Sequence, residues 1–100
     1  MSLGVFIVLE GIDGAGTTTQ MHRLTEALEG EGATVLPTFE PTDSRFGSQI
    51  RRFLRGEEPA PNPDTIALLF AADRLDHLEE QIRPALEAGT HVICDRYLGS

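Results

Sequence analysis

The sequence predicts an α/β fold in which a parallel sheet carries helices on both faces. Three short runs of apolar and β-branched residues, at positions 5–9, 33–36 and 90–94, predict strands. Segments with helical periodicity separate these runs, so the predicted order is strand, helix, strand, helices, strand. Alternation of this kind produces right-handed crossovers and a parallel sheet.

The helices are predicted from the spacing of apolar residues and from the residues that end them. One helix is expected over residues 17–29, before two glycines, and a second around residues 46–54. A longer helix is expected over residues 64–82. Pro84 is expected to break or restart this helix, and Gly89 to end it.

The long predicted helix has two different faces. Its apolar residues share one stripe, which we predict to be the core face: Leu68, Ala72, Leu75 and Ile82. The opposite face carries Phe70, Asp73, Arg74 and His77. Phe70 and Arg74 lie one turn apart. They either pack under another segment or form a wall on which a planar ligand stacks, with Arg74 donating to the edge of that ligand.

Composition narrows the possible partners. The 100 residues include sixteen acidic residues and eight arginines but no lysine, for a net charge of −8. Such a surface repels nucleic acid and anionic lipid, so we expect no sequence-independent binding to either. No apolar run is long enough to span a bilayer, and the single cysteine, Cys94, lies in an apolar run. We therefore expect a cytoplasmic protein without a membrane span, in which Cys94 is a buried thiol.

The length allows one domain and no more. The chain stops just past a predicted strand, where a doubly wound domain normally adds further strands and helices. We expect residues 1–100 to be the N-terminal part of a single domain.

A glycine-rich loop follows the first predicted strand. From Gly11 to Thr18 it matches the phosphate-binding pattern G-x-x-x-x-G-K-[ST], except that Thr17 stands where the pattern has lysine. Its glycines let backbone N–H groups turn inward, and the next helix adds its N-terminal dipole, so the loop can hold phosphates. Thr18 occupies the position whose hydroxyl ligates Mg²⁺. A plain strand-to-helix turn is the alternative, but the strand before and the helix after favour phosphate binding.

The loop thus predicts a P-loop NTPase-type fold that binds the phosphates of a nucleotide together with Mg²⁺. The residues predicted to hold the nucleotide are Gly11, Ile12, Asp13, Gly14, Ala15, Gly16, Thr17, Thr18 and Thr19. At position 17 a lysine would neutralise charge on the transferring phosphoryl group, which an uncharged threonine cannot do. Either an arginine elsewhere supplies that charge, or turnover is slow.

The third predicted strand ends in Asp95-Arg96-Tyr97. Ligands of open parallel sheets bind beyond the carboxyl ends of the strands, so Asp95 and Arg96 should face the same crevice as the phosphate loop. There Asp95 could reach Mg²⁺ and Arg96 could hold a phosphate bidentately. The alternative is a structural ion pair. Glu40, after the second predicted strand, should reach the same edge.

These motifs together resemble the thymidylate kinases. The matching segments are residues 10–16 with 18–20, residues 68–74, residues 82–89 and Asp95-Arg96-Tyr97. Phe39-Glu40-Pro41 resembles the segment that closes over the nucleotide, although the family often has arginine where Phe39 stands. The motifs follow the family's order and cover nearly the whole chain.

The resemblance implies a dimeric kinase, longer than this chain, that transfers the γ-phosphoryl group of ATP to dTMP. In the family, the residue matching Phe70 stacks on thymine, the one matching Arg74 contacts the base and phosphate region, and the one matching Arg96 binds the monophosphate. With Gly14, the loop resembles a bacterial subtype whose catalytic arginine lies on a lid beyond residue 100. Implied catalytic residues are Asp13, Asp95 and Arg96, and implied metal ligands are Thr18 and Asp95. Implied substrate contacts are Asp13, Phe39, Glu40, Phe70, Arg74, Arg96 and Tyr97.

Three functions follow as hypotheses. The first is an active dTMP kinase that makes dTDP. The second is a nucleotide-binding homologue whose catalysis is impaired by Thr17. The third is a kinase for another nucleoside or its monophosphate.

Overall fold

The computed structural model describes residues 3–11 and 15–97 and shows a three-stranded parallel sheet. The strands are β1 (Phe6–Gly11), β2 (Val35–Glu40) and β3 (His91–Tyr97), in the order β1-β3-β2. The parallel sheet with its helices confirms the predicted α/β fold. Each strand runs further at its carboxyl end than its apolar run suggests, because charged residues interrupt the apolar pattern there. These residues are Glu10, Glu40, Asp95 and Arg96.

The helices lie near their predicted positions. They are α1 (Ala15–Gly30), α2 (Arg45–Leu54), α3 (Pro63–His77), a π-helical turn (Leu78–Ile82) and α4 (Arg83–Glu87). Pro84 restarts the helix, which was one of the two predicted alternatives, because it lies in the first turn of α4, where no intrahelical N–H is required. Gly89 follows α4 with a φ of 85°, a conformation that favours glycine.

The prediction of the core face of α3 was wrong. Leu68 and Leu75 are 72% and 61% exposed, and Ala72 is exposed too. The buried residues are instead Asp73 and His77, which as whole residues are 1% and 3% exposed. A periodicity argument assumes that the buried face is apolar, whereas this face is buried through hydrogen bonds.

Ile82 is buried as predicted, with 1% exposure, although it does not share the orientation of Leu75. The π-helical turn of Leu78–Ile82 has more residues per turn than an α-helix, so it shifts the phase of the positions that follow. Uniform spacing across this turn therefore groups residues that point in different directions.

The two sheet faces contact different helices. Glu40 and its neighbours of the same parity in β2 point toward α3, since Glu40 bonds to His77. Phe39 and its β3 partner Asp95 point to the other face, and Asp95 accepts a hydrogen bond from Thr18 at the start of α1. The helices therefore lie on both faces of the sheet.

The apolar core is small and centred on β3. Its fully buried side chains are Ile50, Ile82, Val92, Ile93 and Cys94. The N-terminal part of α2 packs closely on the loop after β2, because a Cβ at Gly47 would lie 2.1 Å from the carbonyl oxygen of Thr42. Within residues 3–11 and 15–97, none of the helices combines the length and apolar character that a bilayer crossing needs.

Candidate active site

The strand register brings three charged residues into one row at the carboxyl edge of the sheet. Arg96 of β3 is paired with Glu10 of β1 and with Glu40 of β2. Its Nε donates to Glu40 Oε1 at 3.1 Å, and its Nη1 lies 3.4 Å from Glu10 Oε1. From α3, Arg74 Nε donates to the same Glu40 oxygen at 3.2 Å. Glu40 therefore joins two arginines from different elements.

Glu40 is 5% exposed and carries a negative charge. Burial raises its pKa, but the hydrogen bonds from His77 and Arg74 and the charge of Arg96 outweigh burial and hold the pKa below its usual value. His77 lies 2.7 Å from Glu40 Oε2 through Nδ1, and its Nε2 lies 2.8 Å from Thr38 Oγ1. The sequence placed His77 only on a helix face.

A second buried carboxylate, Asp73, fixes the loop that follows Glu40. It accepts hydrogen bonds from the Thr42 N–H at 2.9 Å, from the Thr42 hydroxyl at 2.6 Å and from the Ser44 hydroxyl at 3.1 Å. Ser44 also caps α2, accepting from two backbone N–H groups. Through these contacts α3 holds the end of β2 and the start of α2.

A cavity of about 300 Å³ opens at the ends of β2 and β3. Its walls are formed by Phe39, Glu40, Pro41, Arg51, Leu54, Arg55 and Asp95. Arg51 lies over the Phe39 ring at 5.0 Å, donates to the Pro41 carbonyl and pairs with Asp43 at 2.9 Å. Four of the eight arginines thus lie at this edge: two line the cavity, and two bind its Glu40 wall. In an acidic chain, this concentration favours an anionic ligand.

Sequence reasoning missed Arg51 and Arg55. They are four residues apart, at the end of the amphipathic helix α2, and so share one face. That spacing was a usable signal. What the sequence could not show is that this face meets the carboxyl ends of β2 and β3.

On the phosphate-loop side, the Thr18 hydroxyl donates to Asp95 Oδ2 at 3.0 Å. Hydroxyl and carboxylate oxygens are ligands that Mg²⁺ prefers, so the two predicted metal ligands lie together and fit the ion. β1 ends at Gly11 and α1 begins at Ala15, the strand and helix that a phosphate loop requires. Ile12, Asp13 and Gly14 lie outside the described residues.

Three further residues predicted to contact the substrate differ in their position relative to the cavity. Phe70 is half-buried on α3, one turn before Arg74, and is not among the residues that line the cavity. Tyr97 ends β3, and its side chain lies outside the described part. Phe39 is 40% exposed and forms part of the cavity wall.

Glu40, His77 and Cys94 bring three potential metal ligands within 4.8 Å of one another. Burial and the nearby charge of Glu40 raise the pKa of Cys94 to about 12, so its sulfur stays protonated. Metal binding requires a thiolate, and the Glu40 oxygens already accept from His77 and two arginines. Glu40 and His77 therefore belong to a hydrogen-bonded network, and Cys94 beside them is the predicted buried thiol.

Comparison with known proteins identifies the same family across the chain. The family model for thymidylate kinase matches residues 9–100. The probable thymidylate kinase of Pyrococcus horikoshii is 52% identical over 97% of this chain and 49% of its own length. The thymidylate kinase of Bifidobacterium longum is 50% identical over the same shares. The chain spans about half the length of the curated relatives it matches.

Solved structures agree. Thymidylate kinase from Candida albicans has a TM-score of 0.82 and 28% identity, covering 97% of this chain and 41% of that one. The Ehrlichia chaffeensis enzyme has a TM-score of 0.79 and 35% identity, covering 94% and 53%. Sequence and structure agree over nearly all of the chain, and we conclude that it belongs to the thymidylate kinase family.

Proposed function

We propose that the full-length protein is a nucleoside monophosphate kinase that transfers the γ-phosphoryl group of ATP to dTMP, giving ADP and dTDP. The observation that carries this proposal is the pair Arg74 and Arg96, both bound by buried Glu40 beside a cavity at the strand ends. Membership of the thymidylate kinase family supports dTMP as the acceptor.

The donor nucleotide is assigned to the phosphate loop. Backbone N–H groups between β1 and α1 and the N-terminus of α1 would hold the ATP phosphates. Thr18 and Asp95 would hold Mg²⁺, which when bound neutralises charge on the β- and γ-phosphate oxygens. Asp13, inside the loop, would lie between the two nucleotides.

The acceptor is assigned to the arginine side. Arg96 and Arg74 would bind the dTMP phosphate through the guanidinium N–H groups that Glu40 does not use. Phe70 would stack on thymine, and Phe39, Glu40 and Tyr97 would complete the pocket. Arg51 and Arg55 add positive charge to the cavity wall.

The reaction needs no general base. The dTMP phosphate is largely ionised near neutral pH, so its oxygen is already a nucleophile. This oxygen attacks the γ-phosphorus in line, and the bond from that phosphorus to the oxygen bridging to ADP breaks. Catalysis then consists of positioning the reactants and neutralising charge. Arg96 would hold the attacking phosphate, Asp95 would hold Mg²⁺, and Asp13 would lie between the two nucleotides.

We further propose that the enzyme is a homodimer, as the resemblance implies, and that it is cytoplasmic, as expected from the composition. The exposed apolar side chains Leu68 and Leu75 on α3 support a contact between protomers, since such side chains gain most by leaving water.

Replacing Arg74 by alanine tests the acceptor assignment. We expect Arg74→Ala to raise the Kd of dTMP by about 10- to 100-fold, the value of one charge-assisted hydrogen bond. The Kd of ATP should change less than about twofold, because ATP is assigned to the other side. Calorimetric titration of both ligands measures this.

Arg83→Ala is the matched control, since Arg83 is exposed and forms an ion pair with Glu79, four residues earlier in the chain. It should leave both affinities unchanged. Equal losses for dTMP and ATP in Arg74→Ala would show that Arg74 is only structural.

A further inference from the structure

We infer that His77 is a positioning residue for the acceptor site, because it fixes the carboxylate that holds Arg74 and Arg96. This inference rests on the proposed function. The observation that supports it is a series of hydrogen bonds that leads from the buried interior to the cavity edge. The series joins Thr38, His77, Glu40 and then the two arginines.

The tautomer of His77 follows from its neighbours. An ionised carboxylate only accepts hydrogen bonds, so the nitrogen facing Glu40, Nδ1, must carry a proton. On the other side Nε2 meets the hydroxyl of Thr38, which can donate or accept. In either protonation state, His77 donates to Glu40.

Because His77 donates to one Glu40 oxygen, the two oxygens have different partners. Oε2 is taken by His77, and Oε1 accepts from both arginine Nε atoms, at 3.1 and 3.2 Å. Each arginine is thus anchored through Nε, which leaves its Nη groups for other partners. For Arg96, one of these partners is Glu10, which lies 3.4 Å from Nη1. Without the bond at Oε2, the carboxylate could rotate and release one guanidinium.

Solvent exposure increases along this series of contacts, from His77 to the arginines. The side chains of His77 and Glu40 are 1% and 5% exposed, so water does not compete for their bond. Those of Arg96 and Arg74 are 17% and 46% exposed, so the arginines reach the solvent side, where a ligand arrives. The buried pair provides the rigidity, and the arginines provide the contact.

Two substitutions separate this role from packing. In His77→Asn the amide nitrogen falls near the position of Nδ1 and keeps the donor to Glu40. In His77→Gln the longer amide reaches the position of Nε2, so Thr38 keeps a partner and Glu40 loses its donor. Both variants remove the ring, and they differ in which hydrogen bond survives.

We expect His77→Gln to raise the Kd of dTMP by about tenfold and His77→Asn by less than about threefold. The Kd of ATP should stay within about twofold in both. Calorimetric titration of the full-length protein gives the constants, and thermal unfolding shows that each variant is folded. A folded His77→Gln with unchanged dTMP affinity, or with equal losses for dTMP and ATP, would overturn the inference.

A second measurement works without nucleotide. The Nε–H NMR signals of Arg74 and Arg96 should be protected from solvent exchange in the wild type and in His77→Asn, and exchange faster in His77→Gln. If the wild type binds no dTMP, the proposed function fails, whereas this protection still tests the positioning role. Equal protection in all three proteins would overturn it.

Should neither His77 variant fold, Thr38→Val removes the inner hydrogen bond, between Thr38 and His77, and leaves the imidazole in place. It should weaken dTMP binding by about two- to threefold and speed exchange of the Arg96 Nε–H. Wild-type values for both would contradict the inference.

Discussion

Thr17→Lys is expected to raise kcat by about 100-fold, the scale on which a single preorganised transition-state contact acts. Phosphate binding relies on backbone N–H groups and a helix N-terminus, which the substitution does not alter. The added charge acts on the transferring phosphoryl group, so the gain belongs in kcat and the Kd of ATP should change little. Steady-state kinetics and ATP titration on the full-length protein measure both.

Thr17→Met is the control, because methionine has a similar length to lysine and no charge. It should leave kcat near the wild-type value. A lower kcat in Thr17→Lys would show that another positive charge already lies beside the transferring phosphoryl group and is repelled by the lysine. An unchanged kcat, with phosphoryl transfer rate-limiting, would contradict both accounts.

Glu40→Gln is expected to lower the free energy of unfolding by about 3 kcal/mol and to weaken dTMP binding strongly. The amide keeps the shape of the side chain but loses the charge that holds His77, Arg74 and Arg96. The NH₂ group of the glutamine would also face an N–H donor of His77 or of the arginines, so one hydrogen bond would be lost. Urea unfolding measures the first effect, and calorimetric titration measures the second.

The loss of stability should depend on pH. Because the folded-state pKa of Glu40 is lowered, its stabilising contribution is complete above the ordinary pKa of glutamate. It is lost as the pH falls through the lowered value. The stability difference between wild type and Glu40→Gln should therefore be constant above the ordinary pKa of glutamate and shrink as the pH falls below it.

Glu57→Gln provides the matched control, since Glu57 is exposed and lies 3.8 Å from Arg55. It should change stability by less than about 0.5 kcal/mol. A difference between wild type and Glu40→Gln that stays constant with pH would show that Glu40 does not stabilise the fold as a carboxylate.

The strands and the ends of the helices could be predicted because local chemistry determines them. The apolar runs of β1 and β3 and the glycines after α1 and α4 behave as the sequence suggests. The candidate site at the strand ends could be located in the same way, since carboxyl ends of parallel strands share an edge. Glu40, Asp95 and Arg96 lie there as expected.

The orientation of α3 could not be predicted by the same reasoning. Its buried residues Asp73 and His77 find their partners in β2 and in the following loop, more than 25 positions away in the chain. Periodicity does not account for such distant partners, so it wrongly predicts that the apolar stripe of Leu68 and Leu75 is the core face. The π-helical turn then displaced Ile82 from the expected phase.

The most direct test of the account is a coupled ADP-release assay of the full-length protein with ATP, Mg²⁺ and a panel of nucleoside monophosphates. dTMP should give the highest kcat/KM, above dCMP, dAMP and dGMP, with dTDP as the product. Arg74→Ala should lower kcat/KM for dTMP without changing the background hydrolysis of ATP. ADP release that no monophosphate stimulates, in a protein that still binds ATP, would contradict the account.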